Sequence, residues 1–119
     1  MNILQRCSAI AIAIGFASIP PVLSSAAQPA IGIVTSNWKF TPNAITLHVG
    51  QMTTLRLTSN EGVHGLQSPD LGIPLTVIQP GTVKSVEVTP HKAGKYVLHC
   101  AIMCGTGHAN MTLTVNVVQ

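Results

Sequence analysis

The chain has 119 residues, 46% of them hydrophobic and only 8% charged, with six Lys and Arg set against three Asp and Glu. That length suits one domain. A net charge of +3 without any run of like charge excludes the basic stripe on which phosphate binding depends, so no nucleic-acid partner is expected.

The first segment differs from the rest. Arg6 supplies one positive charge, an apolar run extends from Ala9 to Ile19, and small residues follow at Ser24, Ser25, Ala26 and Ala27. Charged start, apolar centre and small-residue cleavage site are the order of a secretory signal peptide. Cleavage after Ala27 satisfies the small-x-small rule through Ser25 and Ala27, so residues 1–27 are expected to be a leader and 28–119 the mature domain. The alternative is an uncleaved anchor, since no charge falls between Arg6 and Lys39. Against it, Pro20 and Pro21 end the run well short of the roughly 20 residues a spanning helix needs. Cys7 precedes the apolar run, the wrong place for a lipoprotein acylation site. The expected location is periplasmic or otherwise extracytoplasmic, with a membrane-anchored domain facing the periplasm as the alternative.

Beyond the leader, Val, Ile, Thr and Leu come in runs broken by Gly, Pro, Asn and Asp, the composition of short strands. "AITLHVG" alternates, with Ile45, Leu47 and Val49 on one side and Thr46 and His48 on the other. A turn at Val49-Gly50-Gln51 leads into a second strand, "MTTLRLTSN". "LTVIQPGTVKSVEVTP" holds two more around Pro80-Gly81. "AGKYVLHC" puts Tyr96, Leu98 and Cys100 on one face and Val97 and His99 on the other. "MTLTVNVVQ" carries Met111, Leu113, Val115 and Val117 on a single face, and no window has a helical period. The pattern predicts an all-β sandwich or small Greek-key barrel, one domain, whose modest core gains from an internal clamp.

"CAIMCGTGHANM", residues 100–111, is the candidate clamp: two cysteines four positions apart, a histidine four further on and a methionine three beyond. Cys100 closes one strand and Met111 opens the next, both on the core side, so the loop is pinned at both ends. In an oxidising compartment the plain reading is a disulfide. A loop this short returns little closure entropy, and a disulfide gives no reason for His108 or Met111. Thiolate and thioether are soft donors that select copper, and imidazole suits it too; zinc held by two Cys and two His leaves Met111 unexplained. A second histidine, His64, lies in what reads as the loop "SNEGVHGLQSPD". Loops at one end of a sandwich cluster, so His64 can face the 100–111 loop. His48, His91 and His99 fall on solvent-facing positions. Trp38 and Phe40, in "NWKFTP", read as core or edge packing, and Glu61 and Asn60 as solvated loop residues beside His64.

Cys-x-x-x-Cys-Gly-x-x-His-x-x-Met with an upstream His-Gly resembles the CuA domain of cytochrome c oxidase subunit II, a cupredoxin, and most of all the short subunit II of B-type haem-copper oxidases. The likeness runs from about Asn37 to the C-terminus through "TSNEGVHG", "IQPG", "AGKY" and "CGTGHANM". It implies two copper ions bridged by Cys100 and Cys104, with His64 and His108 each binding one. It also implies Met111 as a weak axial ligand and the carbonyl of Ile102 as the other. A c-type cytochrome or other redox protein is the implied donor, and a haem-copper oxidase a further partner. Ile102 stands where long-form members carry a glutamate that helps bind a second metal, and Leu66 where an aromatic is common. The expected function is an exported monomer carrying single electrons and not catalytic alone, lacking a general base or an open coordination position. The alternatives are the electron-receiving, subunit II-like part of a terminal oxidase, a periplasmic copper carrier, and a mononuclear blue copper protein that leaves Cys100 unused.

Overall fold

The computed structural model describes residues 10–21 and 28–119. Arg6, Cys7 and the expected cleavage site at 24–27 lie outside the described residues. Residues 10–21 have no regular structure, and Ile10, Ile12, Ile14, Phe16 and Ile19 are each at least 76% exposed. No helix among the described residues is long and apolar enough to cross a membrane.

Nine strands follow: β1 (Ala30–Ser36), β2 (Lys39–Thr41), β3 (Ala44–His48), β4 (Thr53–Ser59), β5 (His64–Ser68), β6 (Ile73–Ile78), β7 (Lys84–Val88), β8 (Gly94–His99) and β9 (Thr112–Val118). Two one-turn 3₁₀ helices, Pro69–Leu71 and His108–Asn110, are the only helical residues among those described. One layer has the order β2-β1-β4-β7, the other β3-β9-β8, and β5 with β6 forms a separate antiparallel pair. β1 runs parallel to β4 and β3 parallel to β9, pairings that need crossovers between the layers. This is the expected sandwich; the sheets do not close into a barrel.

Period-two alternation assigns the faces. Leu113, Val115 and Val117 of β9 face inward with Ile45 and Leu47 of β3 and Leu98 of β8. Ile33, Leu55, Leu57, Val86 and Val88 meet them from the opposite layer. Each such side chain contributes roughly 1.5–3 kcal/mol of burial, before the entropy cost of ordering the chain.

The structure adds to the sequence pattern at two points and changes it at a third. β1 and β2 are strands that the sequence pattern did not mark, because Gly32 interrupts the first and the second has three residues. The two strands expected around Pro80-Gly81 are β6 and β7, which pair with β5 and β4 respectively and not with each other. His64 is not in a loop but opens β5, whose Gly65 and single strong apolar residue, Leu66, hide the strand from a propensity reading.

Candidate metal centre

β8 and β9 pair antiparallel from Gly94↔Val117 to His99↔Thr112. Their connection is the 100–111 loop, and its ends stay in register because the Cys100 N–H donates to the Met111 carbonyl at 3.0 Å. Cys100 is therefore 3% exposed and Met111 fully buried. A second tie crosses to β5, where the Ala101 N–H donates to the Gly65 carbonyl at 2.9 Å. A Cβ on Gly65 would lie 3.2 Å from Ile102 Cγ2, so the glycine lets the loop rest close on the strand. His64, the neighbour of Gly65, is fully buried beneath the loop. On the loop's far side the His108–Asn110 turn closes with the Met111 N–H donating to the His108 carbonyl at 3.2 Å.

All six sequence-selected residues converge. His64 Nδ1 is 3.9 Å from Cys100 Sγ, and His108 Nδ1 is 3.5 Å from Cys104 Sγ. Met111 Sδ lies 3.8 Å from Cys104 Sγ, and the Ile102 carbonyl oxygen 3.3 Å from Cys100 Sγ. The donor atoms of His64, Cys100 and Cys104 lie within 4.8 Å of one another, a span on which metal ions can be held. Both cysteines are free thiols. Two thiols, two imidazoles and a thioether form a soft set that fits copper better than zinc or a hard cation. Burial pushes the Cys104 thiol up from the ordinary 9.0 to about 11, with the hydrogen bond and charge of the Cys100 sulfur adding to it.

The His64 ring is anchored on its other side: Nε2 lies 2.8 Å from the Glu61 carbonyl oxygen. A carbonyl only accepts, so Nε2 carries the hydrogen in this contact, which leaves Nδ1 as the ring nitrogen that can offer a lone pair toward Cys100. Glu61 thus acts through its backbone, and its side chain is exposed, as the sequence implied.

Trp38 departs from its sequence reading. Phe40 is core at 1% exposure, but Trp38 is 38% exposed and lies against the ligand loop. Its Nε1–H donates to the Cys104 carbonyl at 2.8 Å. A Cβ on Gly105 or Gly107 would come within 2.8 or 2.5 Å of the indole, so only glycine fits under the ring at either position. The spaced glycines of "CGTGH" are the signal that an aromatic covers this loop. His48, His91 and His99 are exposed, as their strand and turn positions implied.

Two β-layers with a soft donor set gathered where strand ends and one loop meet define a cupredoxin. A cupredoxin-like domain model matches residues 7–115. Two proteins named cytochrome c oxidase subunit 2, both from Thermus thermophilus, are each 30% identical over 92 residues, 77% of this chain. The aligned region covers 67% of one and 54% of the other, so the chain spans about half to two thirds of their length. The crystal structure of the periplasmic domain of subunit II of cytochrome oxidase from Bradyrhizobium japonicum shares the fold with TM-score 0.70 at 18% identity, covering 80% of this chain and 87% of that one. The chain belongs to the cupredoxin-like family and is a cupredoxin of the CuA type.

Proposed function

We propose that this chain carries single electrons through a dinuclear centre in which the Cys100 and Cys104 sulfurs bridge two copper ions. In this reading His64 Nδ1 serves one ion and His108 Nδ1 the other, with Met111 Sδ and the Ile102 carbonyl as weak outer donors. The observation that carries it is the pairing of donors: each sulfur has its own imidazole, 3.9 Å away for Cys100 and 3.5 Å for Cys104. A mononuclear site needs one thiolate and leaves the other unused. When bound, such a centre supplies a one-electron couple shared over both ions. The chain supplies a donor set already gathered before metal arrives, held by the backbone bonds at Cys100, Ala101 and Met111. Burial of His64, Cys100 and Met111 keeps water away, so little around the site need reorganise when charge changes.

The half-buried His108 lies in the 100–111 loop, which carries the 78% exposed Met103 and is covered at Cys104, Gly105 and Gly107 by the 38% exposed Trp38. Exposed apolar side chains on and over this loop suit a c-type cytochrome or similar redox protein docking by contact. Positive and negative side chains are sparse, with Lys39, Arg56, Lys84, Lys92 and Lys95 against Glu61, Asp70 and Glu87 after residue 27, so long-range steering is weak. The subunit 2 relatives support assembly with a haem-copper oxidase as the setting in which the electron is used. The chain itself reduces no oxygen. Residues 1–27 act as an export leader cleaved after Ala27, which places the domain in the periplasm or its equivalent; the exposed apolar run at residues 10–19 supports this.

Metal analysis with electron paramagnetic resonance tests the centre. Two coppers per chain with a seven-line mixed-valence spectrum are expected. One copper per chain with a four-line spectrum overturns the dinuclear reading.

A further inference from the structure

Ser59 ends β4 and is 8% exposed. Its hydroxyl points into the turn that leads to β5, 2.7 Å from the Gly62 carbonyl oxygen and 3.1 Å from that of Glu61. A hydroxyl has one hydrogen, so Gly62 is the main acceptor and Glu61 shares it. The turn is thereby closed on a buried donor at the end of a core strand. The Glu61 carbonyl that Ser59 holds is also the acceptor for His64 Nε2, at 2.8 Å. No side chain fits at Gly62, where φ is +77° and a Cβ would lie 2.9 Å from His64 Nε2 and 2.5 Å from Asn37 Oδ1. Ser59, the Glu61 carbonyl and the His64 ring form one line of contacts ending at Nδ1, 3.9 Å from Cys100 Sγ.

We propose that Ser59 is a positioning residue for His64: by closing the 59–62 turn it aims the Glu61 carbonyl at Nε2, fixing the ring tautomer that offers Nδ1 to the metal. Without the hydroxyl, the Glu61 carbonyl is free to turn outward. The Nε2–H form then loses the acceptor that holds it, Nδ1–H becomes populated, and a ring protonated at Nδ1 has no lone pair at that atom to give. Only the last step rests on His64 being a ligand; the tautomer itself is a property of the copper-free protein.

The test compares wild type, Ser59→Ala and Ser59→Thr as reduced, copper-free protein by long-range ¹H–¹⁵N correlation of the imidazoles, at a pH where the rings are neutral. Wild type and Ser59→Thr are expected to hold His64 as the Nε2–H form, and Ser59→Ala to populate both forms. An Nδ1–H ring in wild type overturns the proposal and needs no variant to fold. A folded Ser59→Ala protein that keeps pure Nε2–H overturns it equally. Copper titration then separates this idea from the ligand reading. A 10- to 100-fold loss of copper affinity in Ser59→Ala, restored in Ser59→Thr, supports both. A tautomer shift with unchanged affinity and an unchanged copper spectrum leaves Ser59 as positioner and removes His64 from the ligand set.

Discussion

The two halves of the site are built from different parts of the fold. His64 and Cys100, 0% and 3% exposed, sit at strand ends and pack as core residues. His108 and Cys104 are only half-buried, and they hang on a loop covered by one indole. The inner pair is therefore coupled to folding, while the outer pair is held by the loop's own turns and lies closer to the surface. Symmetric chemistry thus rests on an asymmetric scaffold, and that asymmetry predicts which substitutions damage the fold and which damage only the metal.

The largest expected effect is on the metal, and there the halves behave alike. Cys100→Ser and Cys104→Ser should each abolish the mixed-valence spectrum, because one oxygen cannot replace a bridging thiolate. An intact spectrum in either variant breaks the bridging role of that cysteine.

Stability should separate them. His64→Ala leaves a core cavity and frees the Glu61 carbonyl, a loss on the order of 3 kcal/mol in copper-free protein. His108→Ala removes a half-buried ring at the loop surface and should cost about 0.5 kcal/mol or less. Urea unfolding of both variants checks this, and equal losses would erase the inner–outer distinction. Copper itself should raise the melting temperature of wild type, since the ordered site binds it and the unfolded chain binds it far less well.

The proposed donor set was legible in sequence because its spacing is local: Cys100, Cys104, His108 and Met111 lie within one connection whose ends are fixed by strand alternation. His64 could be chosen by its Gly neighbour and by the clustering of sandwich ends, yet its strand could not. HGLQS has no alternation to show, and its pairing with β6 is decided by tertiary contacts. Ser59 and Trp38 were illegible as site residues for a related reason. Each acts on a backbone carbonyl, of Glu61 or Gly62 in one case and Cys104 in the other, and a carbonyl leaves no mark in a sequence. Trp38→Phe sharpens this point: it keeps a ring over Gly105 and Gly107 but drops the bond to Cys104, for an expected loss of about 0.5–1.5 kcal/mol in copper-free protein. No change on urea unfolding would mean the loop is held by its own turns alone.

The smallest effect tests the outer half through protons. In copper-free protein the Cys104 thiol is raised from 9.0 to about 11, chiefly by burial, so the folded state keeps this proton longer than the unfolded chain does. Below pH 9 the thiol is protonated in both states and its contribution to stability is fully present. Between pH 9 and 11 the unfolded chain releases the proton first and binds fewer protons than the folded one, so stability falls as pH rises. Above 11 the slope from this group ends. Cys104→Ser deletes the group, so the difference between the wild-type and variant stability curves reports its contribution together with its interaction with Cys100. That difference should decline across the window by less than the slope of one full proton, because the site is partly open to water. Copper loading has the opposite trend: metal must displace the same proton, so apparent affinity should rise with pH through this range. A flat difference curve would mean that Cys104 is as solvated as an unfolded thiol, and that the outer half is more open than its packing beneath Trp38 implies.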